Sequence, residues 1–176
     1  EGAWSKYFPL FDVLENLFYS SSRKTSGMTH VRDGSDIQRV MAIVWMATFP
    51  TMFFGMYNLG YQSLIAIEAL NAAGQEFTKD WHWPIIELVS GLNPSNIFDC
   101  IAYGAVFFMP IYIVTFIVGI FWEAVFAVVR GHEISEGAFV TTVLFALSCP
   151  PDAPLWQVAV GISVGLVIGK EIFGGT

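Results

Sequence analysis

The chain has 176 residues, of which 55% are hydrophobic, 16% aromatic and only 13% charged, with a formal net charge of −7. About a quarter of a soluble domain's residues carry charge, so this deficit, with a mean hydropathy of +0.58, excludes an ordinary globular core and points to an all-α polytopic membrane protein. Eight Lys and Arg against fifteen Asp and Glu, with no basic stripe, argue against a nucleic-acid partner.

Residues 1–36 are the one substantial polar stretch. Trp4, Tyr7, Phe8, Leu10, Phe11, Leu14, Leu17 and Phe18 recur at three- and four-residue spacings, which predicts a short helix lying in the membrane interface. The stretch opens amphipathically, without the unbroken apolar run of a secretory signal. Small polar residues follow with Arg23, Lys24, Arg32 and then Arg39, so the segment reads as an amphipathic N-terminal region on the cytoplasmic side. Asp36 is placed to cap the next helix.

The membrane domain is expected over 37–176. No charge occurs between Val40 and Ile67, and a first membrane helix is predicted over 37–57 with a kink at Pro50. Residues 61–73 form either its extension or an interfacial helix. The loop 74–96 holds Glu76, Asp80 and Glu87 against Lys79, which assigns it to the outer side, with Trp81 and Trp83 at that interface. A second helix over 98–130 contains 23 uncharged residues, 100–122. At about 1.5 Å per residue they extend about 34 Å, enough to cross a bilayer core. This helix returns to the cytoplasm at Arg130.

A half-helix is predicted over 138–149, too short to span. Pro150, Pro151 and Pro154 stop it, and a further helix runs over 155–173 with Lys170 on the cytoplasmic side. The region 138–154 is therefore either an outer loop between two tilted helices or a broken, re-entrant helix, which is tolerated only when buried in protein or lining a cavity. Gly161, Gly165 and Gly169 form a small-residue stripe that expects a partner helix.

The sequence displays no metal spacing, nucleophile triad or phosphate loop. Cys100 and Cys149 read as small buried hydrophobes, and His30, His82 and His132 are scattered over different loops, His82 as an interfacial residue. Glu123 is the residue that asks for an explanation: a lone acid at the end of an apolar run, sharing a helical face with Gly119, Phe126 and Arg130. It either snorkels or pairs with a basic residue of a neighbouring helix, or it is an ion-handling carboxylate facing the bundle. Gly119 either lets helices approach or leaves room for a flat ligand. Two polar cytoplasmic stretches, His30, Arg32 and Asp33, then Glu133, Glu136 and Gly137, are flanked by Phe18, Tyr19 and Phe139. That mixture suits a surface pocket for an amphiphile with a polar head, or simply exposed loop chemistry.

The strings HVRD (30–33), VWMATFPTMFFGMYN (44–58), FMPIYIVTFIVGIFWE (108–123), HEISEGAFVT (132–141), PLWQ (154–157) and KEIFGGT (170–176) resemble the B-subunit family of the sodium-translocating NADH:quinone oxidoreductases. The D-type component of the Rnf electron-transfer complex is a more distant relative. The resemblance implies the first part of a urea-transporter-like helical bundle that continues beyond residue 176. It implies a membrane component of a bacterial respiratory complex, in the inner membrane with its N-terminus cytoplasmic. That component passes electrons from flavins to ubiquinone and couples this to sodium export, in the company of flavin- and iron–sulfur-carrying subunits and lipid. An Rnf-type electron-transfer component, or a channel or carrier without redox work, is the alternative.

The implied cofactors are riboflavin, near Gly175 and Thr176, and a covalent FMN on a threonine beyond residue 176; Thr29 is not assigned that role. Glu123 corresponds to the family's acid on the sodium pathway. Gly119 corresponds to the first of two adjacent glycines of the quinone and inhibitor pocket, and Ile120 departs from the second, which narrows the pocket. The same pocket draws on Leu17, Phe18, Tyr19, His30, Val31, Arg32 and Asp33, and on Ile134, Glu136, Gly137 and Phe139.

Overall fold

A computed structural model describes residues 37–75, 79–130 and 137–173. The expected interfacial helix, the cap at Asp36, and the pocket residues Leu17, Phe18, Tyr19, His30, Val31, Arg32, Asp33, Ile134 and Glu136 lie outside the described residues, as do Gly175 and Thr176.

All regular structure among the described residues is helical. Helix α1, Ile37–Ala47, gives way at Thr48 to α2, Phe49–Ala72. Pro50 falls in the first turn of α2, where its missing N–H removes no helical hydrogen bond. The Thr48 hydroxyl donates to the Trp45 carbonyl at 2.6 Å, closing α1. Helix α2 runs past Tyr57 to Ala72, so residues 61–72 extend it, one of the two arrangements expected for that stretch. Gly55 and Gly60 each weaken a helix by about 1 kcal/mol relative to alanine, but Gly60 sits against Cys100 and packing outweighs that cost.

Within the loop 74–96 a short helix forms, α3, Trp83–Val89. The longest element is α4, Ile97–Arg130, 34 residues with Pro110 inside it. Next comes α5, Gly137–Ser148, then residues 150–154, then α6, Leu155–Leu166. A π-helical turn, Val167–Glu171, closes the described chain, with the Ile172 N–H donating to the Val167 carbonyl at 2.9 Å. The stretch predicted as one helix over 155–173 thus changes its winding at Val167.

Helix α4 is the organising element, packing against α2, α3, α5 and α6, while α1 leans on α5. The α2–α4 crossing is made of backbone. A Cβ added at Gly60 would lie 2.7 Å from the Cys100 carbonyl carbon, and one at Gly104 would lie 2.6 Å from that of Met56. Glycine is what lets the two backbones meet this closely. Cys100 is fully buried there and Cys149 half-buried, both as free thiols.

Two helices, Val40–Ala72 and Ile97–Arg130, are long and apolar enough to cross a membrane. The more apolar window, in Ile97–Arg130, has a mean hydropathy of 2.3, yet only 22% of it is buried. A soluble protein's apolar helix would be hidden. Here Phe54, Ile117, Phe121, Trp156 and Val160 stand exposed, so the apolar surface faces outward, as lipid or partner helices require. Helices α5 and α6 form a hairpin whose proline-bearing tip lies beside Phe107, Pro110 and Ile111 of α4. That is at least ten residues, about 15 Å, in from the start of α4.

Candidate functional site

Thr115, Gly119, Glu123 and Ala127 follow one another at four-residue intervals along the buried face of α4. Glu123 is only 1% exposed. The π-helical turn after α6 presents two charged neighbours to it, Lys170 and Glu171, the latter also 1% exposed. A π turn widens the helix locally, and such turns recur at functional sites; here adjacent residues 170 and 171 both face inward. Lys170 Nζ donates to Glu123 Oε1. Arg130 donates to the Glu171 backbone carbonyl and, at 3.4 Å, to Glu171 Oε2. Lys170 Nζ lies 3.9 Å from Glu171 Oε1.

Four charges thus meet where the Arg130 end of α4 passes the turn, and together they are neutral. Taking ions out of water costs several kcal/mol each, and their attraction offsets this only when geometry is good. Such a cluster is a poor device for stability alone. Of the two readings of Glu123, pairing with a neighbouring basic residue is the arrangement in this structure. Trp122 Nε1 donates to Ser163 Oγ at 2.9 Å and ties α4 to α6 next to it.

Gly119 lies one turn earlier. A methyl group added there would overlap Thr142 Cγ2 and stand 3.6 Å from Leu166 Cδ1, so the space beside Gly119 is filled by α5 and α6. Phe139 packs between Trp45 of α1 and Phe116 of α4, at ring-centroid distances of 5.9 and 5.8 Å. Phe49, Tyr112 and Phe108 extend this into an aromatic seam. Gly137 is the first residue of α5, its carbonyl accepting from Thr141 Oγ1 at 2.9 Å, and Ile120 is half-buried. Gly119 and Phe139 are therefore brought to the α4–α5 seam and Glu123 to the α4–α6 seam. Sequence reading missed Lys170 and Glu171 as partners. The available signal was a pair of opposite charges ending one apolar run, Glu123 and Arg130, matched by an opposite pair ending another.

A second polar locus lies at the tip of the α5–α6 hairpin. A cavity of about 270 Å³ is lined by Asp80, His82, Phe107, Pro110 and Asp152 among others. His82 is buried, stacked on Phe107 at 4.3 Å and against Trp81 at 3.7 Å. Burial holds its imidazole below the ordinary value of 6.5, against opposing pulls from Asp80 and then Asp152. A depressed pKa favours the neutral ring in the folded state, so its contribution is present above pH 6.5 and is lost as pH falls through the folded value. Amide exchange in residues 83–90, corrected for intrinsic rates, should accelerate on going from pH 7.5 to 5.5, and His82→Gln should remove that acceleration.

The profile of the NQR2, RnfD, RnfE family matches residues 24–176. The chain belongs to this family. It is 49% identical over 176 residues to the Na(+)-translocating NADH-quinone reductase B subunit of Pseudomonas paraeruginosa, covering 99% of this chain and 43% of that relative. The same-named proteins of Azotobacter vinelandii and Yersinia pestis are 49% and 48% identical, again over 99% of this chain and 43% and 44% of theirs. The chain therefore spans less than half the length of the curated relatives it matches. All three relatives carry the name of the B subunit of a sodium-translocating NADH-quinone reductase.

Proposed function

We propose that this chain forms the first part of the membrane subunit of a sodium-translocating NADH:quinone reductase, handling sodium at Glu123 and quinone near Gly119 and Phe139. The observation that carries the proposal is Glu123 itself: a carboxylate 1% exposed, inside an element whose exterior is apolar, within a family whose relatives are named for sodium translocation. Ionisable groups so placed are expensive to keep and usually mark ion pathways. The protein sits in the bacterial inner membrane with its N-terminus cytoplasmic, as part of a urea-transporter-like bundle completed beyond residue 176. Riboflavin lies near Gly175 and Thr176, FMN is carried on a threonine beyond residue 176, and the iron–sulfur groups belong to other subunits.

In this reading the flavins deliver electrons, and this chain's own residues do three things. The apolar seam of Trp45, Phe116 and Phe139 excludes water and offers aromatic faces to a quinone ring entering from the membrane. Ile120, half-buried next to Gly119, narrows the entry. Glu123 supplies a negative charge that a sodium ion neutralises when an electron's charge arrives nearby. Coupling follows if the reduced and oxidised states differ in sodium affinity. The assembled complex containing this chain should show a visible flavin spectrum and NADH:quinone reductase activity that sodium raises and choline does not. A complex that carries sodium without flavin or quinone reduction would make the chain a carrier instead.

A further inference from the structure

Resting on the reading of Glu123 as the sodium-handling acid, we propose that Lys170 is a displaceable internal cation that holds the Glu123 position in the absence of sodium. It moves to Glu171 when sodium enters. Three observations carry this. Lys170 Nζ is hydrogen-bonded to Glu123 Oε1, the group that sodium would need. Glu171 Oε1 is buried, lacks a hydrogen-bond partner, and stands 3.9 Å from the same ammonium. That is about 1 Å beyond hydrogen-bond reach, so a small rotation of the lysine stem satisfies it.

The third observation is room to move. Lys170 keeps 21% of its side chain exposed while both carboxylates are nearly sealed, so its stem is not enclosed on every side. The lysine therefore has two positions, one at each acid. Arg130 stays on Glu171 in either position, through the backbone carbonyl as well as the carboxylate. With Lys170 on Glu123 the cluster is neutral. With sodium on Glu123 and Lys170 on Glu171 it carries one extra positive charge, the amount that balances one added electron. The device also explains why two adjacent residues of a π-helical turn point to one side.

The test is a sodium titration of the assembled complex, read twice: by quinone reductase activity and by sodium-dependent thermal stabilisation, which needs no turnover. Lys170→Met removes the competitor and should lower the half-saturating sodium concentration about tenfold, the low end for a hydrogen bond to a charged group. Glu171→Gln removes the second position and should raise that concentration by about the same factor. The Gln keeps the backbone carbonyl that Arg130 uses. Opposite signs distinguish displacement from simple damage, which would move both variants the same way. If Lys170→Met fails to assemble, Glu171→Gln alone decides, and a half-saturation unchanged within about twofold overturns the proposal. Glu123→Gln separates the two levels. If it abolishes sodium stabilisation while the other two variants behave as wild type, Glu123 handles sodium but Lys170 is no competitor. If it leaves sodium stabilisation intact, the sodium assignment fails and the Lys170 proposal with it.

Discussion

Gly104→Leu should leave no folded protein. Its Cβ alone would stand 2.6 Å from the Met56 carbonyl carbon and 2.8 Å from the Met56 Cα. These are backbone atoms, so no rotamer change relieves the overlap, and α2 and α4 must separate along their whole contact. Overpacking of this kind exceeds the usual range of single substitutions, about 0.5–3 kcal/mol. The expected outcome is loss of the chain from the membrane fraction and of the assembled complex in detergent. Gly165→Ala is the matched control. A Cβ there meets nothing within 4 Å, and alanine improves helix propensity by up to about 1 kcal/mol, so the complex should assemble at normal yield. Equal behaviour of the two variants would mean that the α2–α4 crossing is not glycine-tight.

The second large effect is expected at Arg130. Glu171 is buried, and Arg130 is the cation bonded to it. Arg130→Met keeps the aliphatic stem but leaves a buried carboxylate short of charge, which typically costs about 3–5 kcal/mol. At 2–4 °C per kcal/mol, the thermal midpoint should fall by about 6–20 °C. Arg130→Met combined with Glu171→Gln removes both charges and should recover most of that loss. A double variant as unstable as the single one would show that Arg130 acts through packing on Phe126, over whose ring it lies at 5.3 Å.

The sequence carried much of this architecture because apolar periodicity and charge placement are local signals. The 23 uncharged residues ending at Trp122 foretold α4, and Pro150, Pro151 and Pro154 foretold the break between α5 and α6. What it did not carry depends on contacts between distant segments. Residues 61–73 were open between an extension of the first helix and an interfacial helix, and the close packing of Gly60 against Cys100 accompanies the extension, which runs to Ala72. Loop 74–96 was read as an outer loop with Trp81, His82 and Trp83 at the interface; its helix was not foreseen, and His82 stacks on Phe107 while Ser90 Oγ donates to the Asp99 carbonyl at 3.2 Å, which holds α3 against α4.

The site divides in the same way. That Glu123 needs a partner was legible, because a single acid at the end of an apolar run is conspicuous. Its partner was not, because Lys170 lies 47 residues away and reads on its own as a cytoplasmic end charge. Gly119 was open between close packing and space for a ligand. Thr142 and Leu166 occupy the adjoining volume, so close helix packing is the arrangement in this structure, and the proposed quinone site would require those two side chains to share or vacate the seam.

The most direct test of sodium handling at Glu123 is NADH-driven sodium uptake into proteoliposomes containing the whole complex, with Glu123→Ala compared against wild type at matched flavin content. Quinone reduction in the variant is expected to lose its stimulation by sodium, and sodium uptake per quinol formed to collapse, while the flavins remain bound. Sodium dependence and uptake equal to wild type would contradict that role, and Glu123 would then be only the structural counter-ion of Lys170.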